Sequence, residues 1–284
     1  MNYETRRKVE VVVISDVHLG TYGCHAKELV RYLKSIAPSL IVLNGDIIDI
    51  WQFSKNYFPP AHMGVIKELT RMLSHGARIH YIPGNHDEML RKFVGQKIGN
   101  LTIDNKLVLE LDGKKAWFFH GDVFDVTMKH SKWIAKLGGK GYDLLILFNR
   151  LVNRILEKSG REKISLSKKI KDGVKAAVRF ISDFEDTATR IGISNGYHFV
   201  ICGHIHQPVI REFTNDEGSI IYLNSGDWIE NLTSLEYSNG AWTLYRFEED
   251  DLLHTDPAES ESLTSMSSKE IFLALTKEFN LRRA

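Results

Sequence analysis

The run Val9-Glu10-Val11-Val12-Val13-Ile14, followed at once by Ser15-Asp16-Val17-His18, decides the fold. Four valines and an isoleucine in six positions, without polar alternation, mark a strand buried on both faces, as the inner strands of an α/β sheet are. Outward from it, residues 25–36 carry Leu29, Leu33 and Ile36 at helical spacing, and Pro38 marks the exit. Residues 40–43 form a second buried strand, 62–75 a helix that Gly76 can close, and 78–82 a third strand. Strand, helix, strand, helix, strand at this spacing predicts βαβ units and a parallel sheet.

The rhythm then changes. Segments 106–111 and 115–119 flank Asp112-Gly113, and 234–237 and 241–247 flank Asn239-Gly240, both hairpin turns. With further strands at 199–202 and 220–223, the second half is β-rich and partly antiparallel. The expected fold is α/β: two packed mixed sheets flanked by helices, with a helical cap inserted at about 126–195. The main domain is expected over 1–250. Residues 251–284 follow as an acidic, Ser-rich linker and a last helix opened by a capping box at Ser267 and Glu270.

The 284 residues are 43% hydrophobic and 26% charged, ordinary for a globular chain, with a net charge of +1. Two cysteines give no disulfide framework and fit a reducing compartment. No apolar stretch follows the polar start, and no run approaches a membrane span, so a cytoplasmic protein is expected. The charge is unevenly placed. Residues 126–180 hold fourteen Lys/Arg against four Asp/Glu, together with an apolar surplus (Trp133, Leu137, Leu144, Phe148, Leu151, Ile155). A basic face of this kind suits an anionic ligand, or an anionic membrane surface on the cytoplasmic side.

Five short motifs carry the chemistry, each after a strand-like run. They are Asp16-Val-His18, Gly45-Asp46-Ile-Ile-Asp49, Gly84-Asn85-His86-Asp87, His120-Gly121-Asp122 and Gly203-His204-Ile-His206. Singly each reads as a turn. Together they matter, because residues just past the carboxyl ends of parallel strands converge on one crevice. Carboxylate oxygens, imidazole nitrogens and one amide oxygen suit Mn²⁺, Fe or Zn²⁺, and the absence of thiolates disfavours a structural zinc site.

These motifs, in this order across roughly residues 9–230, resemble the calcineurin-like metallophosphoesterases. The resemblance implies a pair of mixed sheets and two divalent ions, Mn²⁺ foremost. Asp16, His18 and His206 would hold one ion, Asn85, His120 and His204 the other, and Asp46 both. His86 and Asp87 are the candidate catalytic residues. His86 would donate to the phosphoryl or leaving oxygen, and Asp87 or Asp49 would orient a histidine.

Within that superfamily, Ser15-Asp-Val-His-Leu19, Gly45-Asp-Ile-Ile-Asp-Ile-Trp51, His120-Gly-Asp122 and Gly226-Asp-Trp228 are most similar to the UDP-2,3-diacylglucosamine pyrophosphohydrolases of lipid A synthesis. That resemblance implies a lipid-linked nucleotide diphosphate as substrate and a helical insertion that holds acyl chains. Arg161, Ser167, Lys168 and Lys171 of the cap are candidates for the phosphate and sugar contacts, and no specific nucleic acid is expected as partner. One departure stands out: those enzymes usually carry Arg where this chain has His86. A phosphatase or phosphodiesterase acting on a soluble phosphoester therefore stays open, and so does a non-catalytic scaffold on the same fold.

Overall fold

The computed structural model describes residues 3–50, 58–124 and 166–250, with side chains of the last stretch from residue 178 onward. Contacts divide the chain into Met1–Phe247 and Glu248–Ala284, and the elements below belong to the first unit. The expected last helix lies outside the described residues.

Strand β1 (Arg7–Ile14) leads through a loop into α1 (Ala26–Ser35), which passes directly into β2 (Ile36–Asn44). Helix α2 (Pro60–Ser74), started by proline at its first position, precedes β3 (Arg78–Ile82). After a 3-10 turn at Glu88–Phe93 come β4 (Lys97–Ile98), β5 (Leu101–Ile103), β6 (Leu107–Leu111) and β7 (Lys114–Phe118). Helix α3 (Leu166–Ser194) precedes β8 (Phe199–Cys202), β9 (Val209–Asn215), β10 (Gly218–Asn224), β11 (Thr233–Ser238) and β12 (Ala241–Arg246).

Both sheets are mixed, as expected. The first has seven strands in the order β12-β11-β1-β2-β3-β5-β4, and the second has five, β6-β7-β8-β10-β9. Strands β1, β2, β3 and β5 run parallel, as do β7, β8 and β10, with antiparallel strands added outside them. Alternate residues of β1 and β2 (Val11, Val13, Leu40, Val42) meet Ala116, Phe118, Phe199, Ile201 and Leu223 of the second sheet in one apolar layer. Their neighbours Val12 and Ile41 are also fully buried. Burial on both faces is why β1 reads as an unbroken β-branched run. On the outer face of the second sheet, Phe184 and Ala188 of α3 pack on Val200, Cys202, Ile220 and Tyr222.

Strands β4, β5 and β9 are not anticipated in the sequence. The first two are two and three residues long, and β9 is an exposed edge with hardly any buried side chain, so neither gives a hydrophobic period. Of the expected cap, residues 126–165 lie outside the described residues, while 166–194 is one continuous helix.

Just before β1, Arg6 is buried (4% exposed) and donates from Nη1 to Glu68 Oε1 of α2 at 2.6 Å and to the Leu33 carbonyl of α1 at 3.2 Å. This pair locks the two helices of the first sheet to the chain start. Removing one partner leaves a buried charge uncompensated, at a cost of roughly 3–5 kcal/mol. Glu68→Ala should therefore lower the urea midpoint by that equivalent, and the joint replacement Arg6→Met/Glu68→Leu should recover most of it. Equal midpoints for wild type and Glu68→Ala would refute the assignment.

Candidate metal centre

All five motif loops follow strand ends at one end of the two sheets, three from the first (after β1, β2 and β3) and two from the second (after β7 and β8). Parallel pairing places these ends side by side. The loops are then laced by backbone bonds: Asp16 N–H to the Gly45 carbonyl (3.0 Å), His18 N–H to Asp46 (2.9 Å) and Gly203 N–H to His120 (3.0 Å).

The chain turns sharply to aim these side chains. Asp16, His18, Asp46, His204 and His206 have φ between 52° and 67°. They are five of the eight non-glycine residues with positive φ among the described residues. Such conformations cost about 1–3 kcal/mol each and persist only where the surroundings enforce them. Glycine supplies the clearance. A Cβ on Gly84 would collide with Asp46 Oδ1 and stand 2.6 Å from His120 Nε2.

Three groups of donor atoms result: Asp16, His18 and His206; Asp46, His120 and His204; and His18, Asp46 and His86. In each, the atoms lie within 4.8 Å of one another. His206 Nε2 is 3.1 Å from Asp16 Oδ1, and His120 Nε2 is 3.3 Å from Asp46 Oδ2. Four polar atoms here are buried with no hydrogen bond: Asp16 Oδ1, His18 Nε2, His120 Nε2 and Asn85 Oδ1. Buried polar atoms are almost always satisfied, so the three orphans that fall within the donor groups fit a divalent cation.

The ring orientations are fixed from behind. His120 Nδ1 donates to the Asn44 carbonyl at 2.8 Å, which turns Nε2 toward Asp46. His206 Nδ1 faces Asp227 Oδ2 at 3.7 Å. Asp227 is itself held by the backbone amides of Ile229 and Glu230 (2.8 and 2.6 Å). Asn224 Nδ2 donates to the Gly203 carbonyl at 2.8 Å, steadying the last motif. No site role for Asn44, Asn224 or Asp227 is anticipated in the sequence analysis. The motif Gly226-Asp-Trp228 was the available signal for Asp227.

His86 and Asp87 part company. The His86 ring is 36% exposed and its Nδ1 lies 3.0 Å from Asp49 Oδ2, while its backbone N–H donates to Asp46 Oδ1 at 2.8 Å. Asp87 is fully buried. Its carboxylate accepts from the backbone N–H groups of Gly84 (2.6 Å) and Ile47 (2.9 Å) and from the Tyr81 hydroxyl. The structure thus places Asp87 away from the catalytic position expected for it: it ties the loop after β3 to the loop after β2. Of the two candidates, Asp49 is the carboxylate that orients His86. Arg161 lies outside the described residues, and Ser167, Lys168 and Lys171 lie on the part of α3 described only by its backbone.

The electrostatics follow from this crowding. Burial opposes charge on His120 and His206, yet the neighbouring carboxylates overcome it, raising His120 to about 10 and His206 to about 9. The partners Asp16, at about 2, and Asp46 stay ionised despite their burial.

The family described as calcineurin-like phosphoesterase matches residues 9–208. The chain belongs to that family. It is accordingly a metal-dependent phosphoester hydrolase, and the donor groups above are its candidate sites for divalent metal ions. The UDP-2,3-diacylglucosamine hydrolase of Aliivibrio fischeri (strain MJ11) is 25% identical over 246 residues, covering 84% of this chain and 98% of its own. That of Aeromonas salmonicida (strain A449) is 28% identical over 271 residues, covering 90% and 100%. Among solved structures, a dimetal phosphatase from Danio rerio covers 83% of this chain and 95% of its own, at 11% identity and a TM-score of 0.37. Among the described residues no helix is long and apolar enough to cross a membrane.

In the metal-free protein, His120 and His206 are protonated at pH 7, because both are raised well above it. A cation must displace those protons. Metal binding at pH 7 should release protons, and affinity should rise with pH through about 9 for the His206 site and about 10 for the His120 site. Calorimetric titrations in buffers of different ionisation enthalpy measure the release, and a buffer-independent heat would contradict it.

Proposed function

We propose that this phosphoesterase hydrolyses the diphosphate of UDP-2,3-diacylglucosamine, releasing UMP and lipid X. The observation that carries the reading is the agreement of relatives bearing that name over nearly their whole length, 98% and 100% of their own chains. The donor set at the strand ends supports the reaction class.

Asp16, His18 and His206 would hold one ion, Asn85, His120 and His204 a second, and Asp46 both. Manganese is the favoured metal, and iron or zinc would suit the same donors. Two divalent ions supply a nucleophile from water at neutral pH and neutralise charge developing on the phosphoryl oxygens. The chain's own part is positional. The Asn44 carbonyl holds the His120 ring by a hydrogen bond and Asp227 faces the His206 ring at 3.7 Å, which limits the reorganisation of the donor atoms when substrate arrives.

His86 serves the transferred phosphoryl group. With Asp49 beside its Nδ1, its ring is raised from its ordinary value, burial opposing and the carboxylates favouring the charged form. The shift favours the proton-bearing form of the ring, which would donate to a phosphoryl or leaving oxygen as the P–O bond breaks. In the relatives' enzyme class an arginine usually stands here, and a protonated histidine offers a donor of the same sign with shorter reach. The expectation for His86→Ala is full metal content with kcat lower by roughly 10²–10⁴. Loss of metal instead would make His86 a ligand, a role that its closeness to His18 and Asp46 also permits.

The basic, apolar-rich stretch 126–180 is assigned to the acyl chains and to the anionic cytoplasmic membrane from which such a substrate is drawn. Each buried CH₂ stabilises binding by about 0.8 kcal/mol. Activity toward UDP-diacylglucosamine should therefore far exceed that toward UDP-glucosamine derivatives without acyl chains. Equal kcat/KM for the two would remove the lipid reading and leave a phosphodiesterase of soluble substrates.

A further inference from the structure

We infer that Arg91 is a positioning residue for the second ion, clamping the loop that carries Asn85 to the loop that carries His120. The inference rests on the two-ion reading above.

Arg91 stands on the 3-10 turn Glu88–Phe93, five residues past His86. Its Nη2 donates to the Pro83 carbonyl at 3.0 Å and to Asp122 Oδ2 at 2.7 Å. Pro83 directly precedes Gly84-Asn85, and Asp122 lies two residues past His120. One guanidinium nitrogen thus bonds the loop after β3 and the loop after β7, which come from different sheets. Those are the loops that bring Asn85 and His120 to the second ion. Around this tie opens a crevice of about 350 Å³, lined by Pro83, Arg91, Asn105 and Phe119 through Val123. The arginine therefore ties the two loops across an open crevice.

The first ion's donors have no such dependence. Asp16, His18 and His206 are fixed through the loops after β1, β8 and β10, by Trp228 N–H to the Asp16 carbonyl (3.1 Å) and by Asp227. Arg91 touches none of them. A clamp behind one half of the site should show itself as a change at one ion and not the other. Both bonds come from one guanidinium nitrogen, and the one to Asp122 is charge-assisted, so a lysine ammonium on its different stem replaces them only in part.

Charge alone works in the opposite direction. Removing a cation near Asp122 and His120 would strengthen binding of a divalent ion, whereas loosening the clamp weakens it. The sign of the effect therefore separates positioning from electrostatics.

The test is a manganese titration of metal-free wild type, Arg91→Met and Arg91→Lys, followed by electron paramagnetic resonance and elemental analysis, with thermal unfolding of each metal-free protein alongside. Methionine keeps the apolar stem and removes the guanidinium. Wild type should take two ions with an exchange-coupled signal. Arg91→Met should bind the first ion unchanged and the second about 10–100-fold more weakly, the usual cost of losing a group behind a ligand. The coupled signal should give way to a mononuclear one at low metal, with Arg91→Lys intermediate. A second ion held as tightly as in wild type, or more tightly, overturns the clamp, even if the metal-free variant melts earlier. Both ions weakened equally overturns it as well, because the effect is then general. A wild type that takes only one ion overturns the two-ion reading first, and the clamp with it.

Discussion

Five carboxylates, Asp16, Asp46, Asp49, Asp87 and Asp227, are buried at one end of the two sheets, none more than 4% exposed. Burying ionised carboxylates is costly unless each is paired or hydrogen-bonded. Asp87 and Asp227 meet that demand with backbone N–H groups, and so serve as fasteners between loops. Asp16 meets it with His206, and Asp46 with His120, whose Nε2 has no hydrogen bond of its own. Negative charge exceeds what the protein supplies in return, and the balance is a standing demand for cation. The protons that His120 and His206 hold above neutrality express the same demand in the metal-free protein.

The same demand explains why strained backbone collects here. Five turn residues with positive φ represent several kcal/mol that the rest of the fold must supply. The source lies a few residues away, in the inter-sheet layer of Val11, Val13, Leu40, Val42, Phe118 and Ile201. Rigid strands end in turns that cannot relax, because Asp87, Asn44 and Asn224 bond the loops to one another. Glycine at 84 is part of the same device, since any side chain there would occupy the space of Asp46 and His120.

Much of this was legible in the sequence, for a physical reason. A strand buried on both faces cannot alternate, so β1, β2 and β8 announce themselves as apolar runs, and the polar motif after each marks its carboxyl end. The donor residues were legible because their chemistry is rare at strand ends. What was not legible is the supporting layer. Asn44 acts through its backbone carbonyl, which any residue has, and Asn224 acts on a glycine carbonyl 21 residues earlier. Asp87 reads as a catalytic carboxylate because it adjoins His86, yet a one-residue step past that histidine turns it into the interior. Strands β4, β5 and β9 are too short or too exposed to print a pattern.

The order of parts along the chain separates the donor set from the insertion. Asp16, His18, Asp46 and Asn85 come from the parallel strands of the first sheet, in an order set by βαβ topology. His120 and His204 belong to one donor group, yet the basic, apolar-rich insertion lies between them in sequence, joining β7 to β8. Because β7 and β8 are adjacent and parallel, the ends of that insertion are held at neighbouring strands whatever its length. The insertion can therefore vary in sequence without moving His120 relative to His204. Its length and composition are then free to vary, while the donor set is constrained by the metal. His86 sits on the other side of this division, beside Asp49 among the loops of the first sheet, so the residue at that position can differ without any change in the insertion.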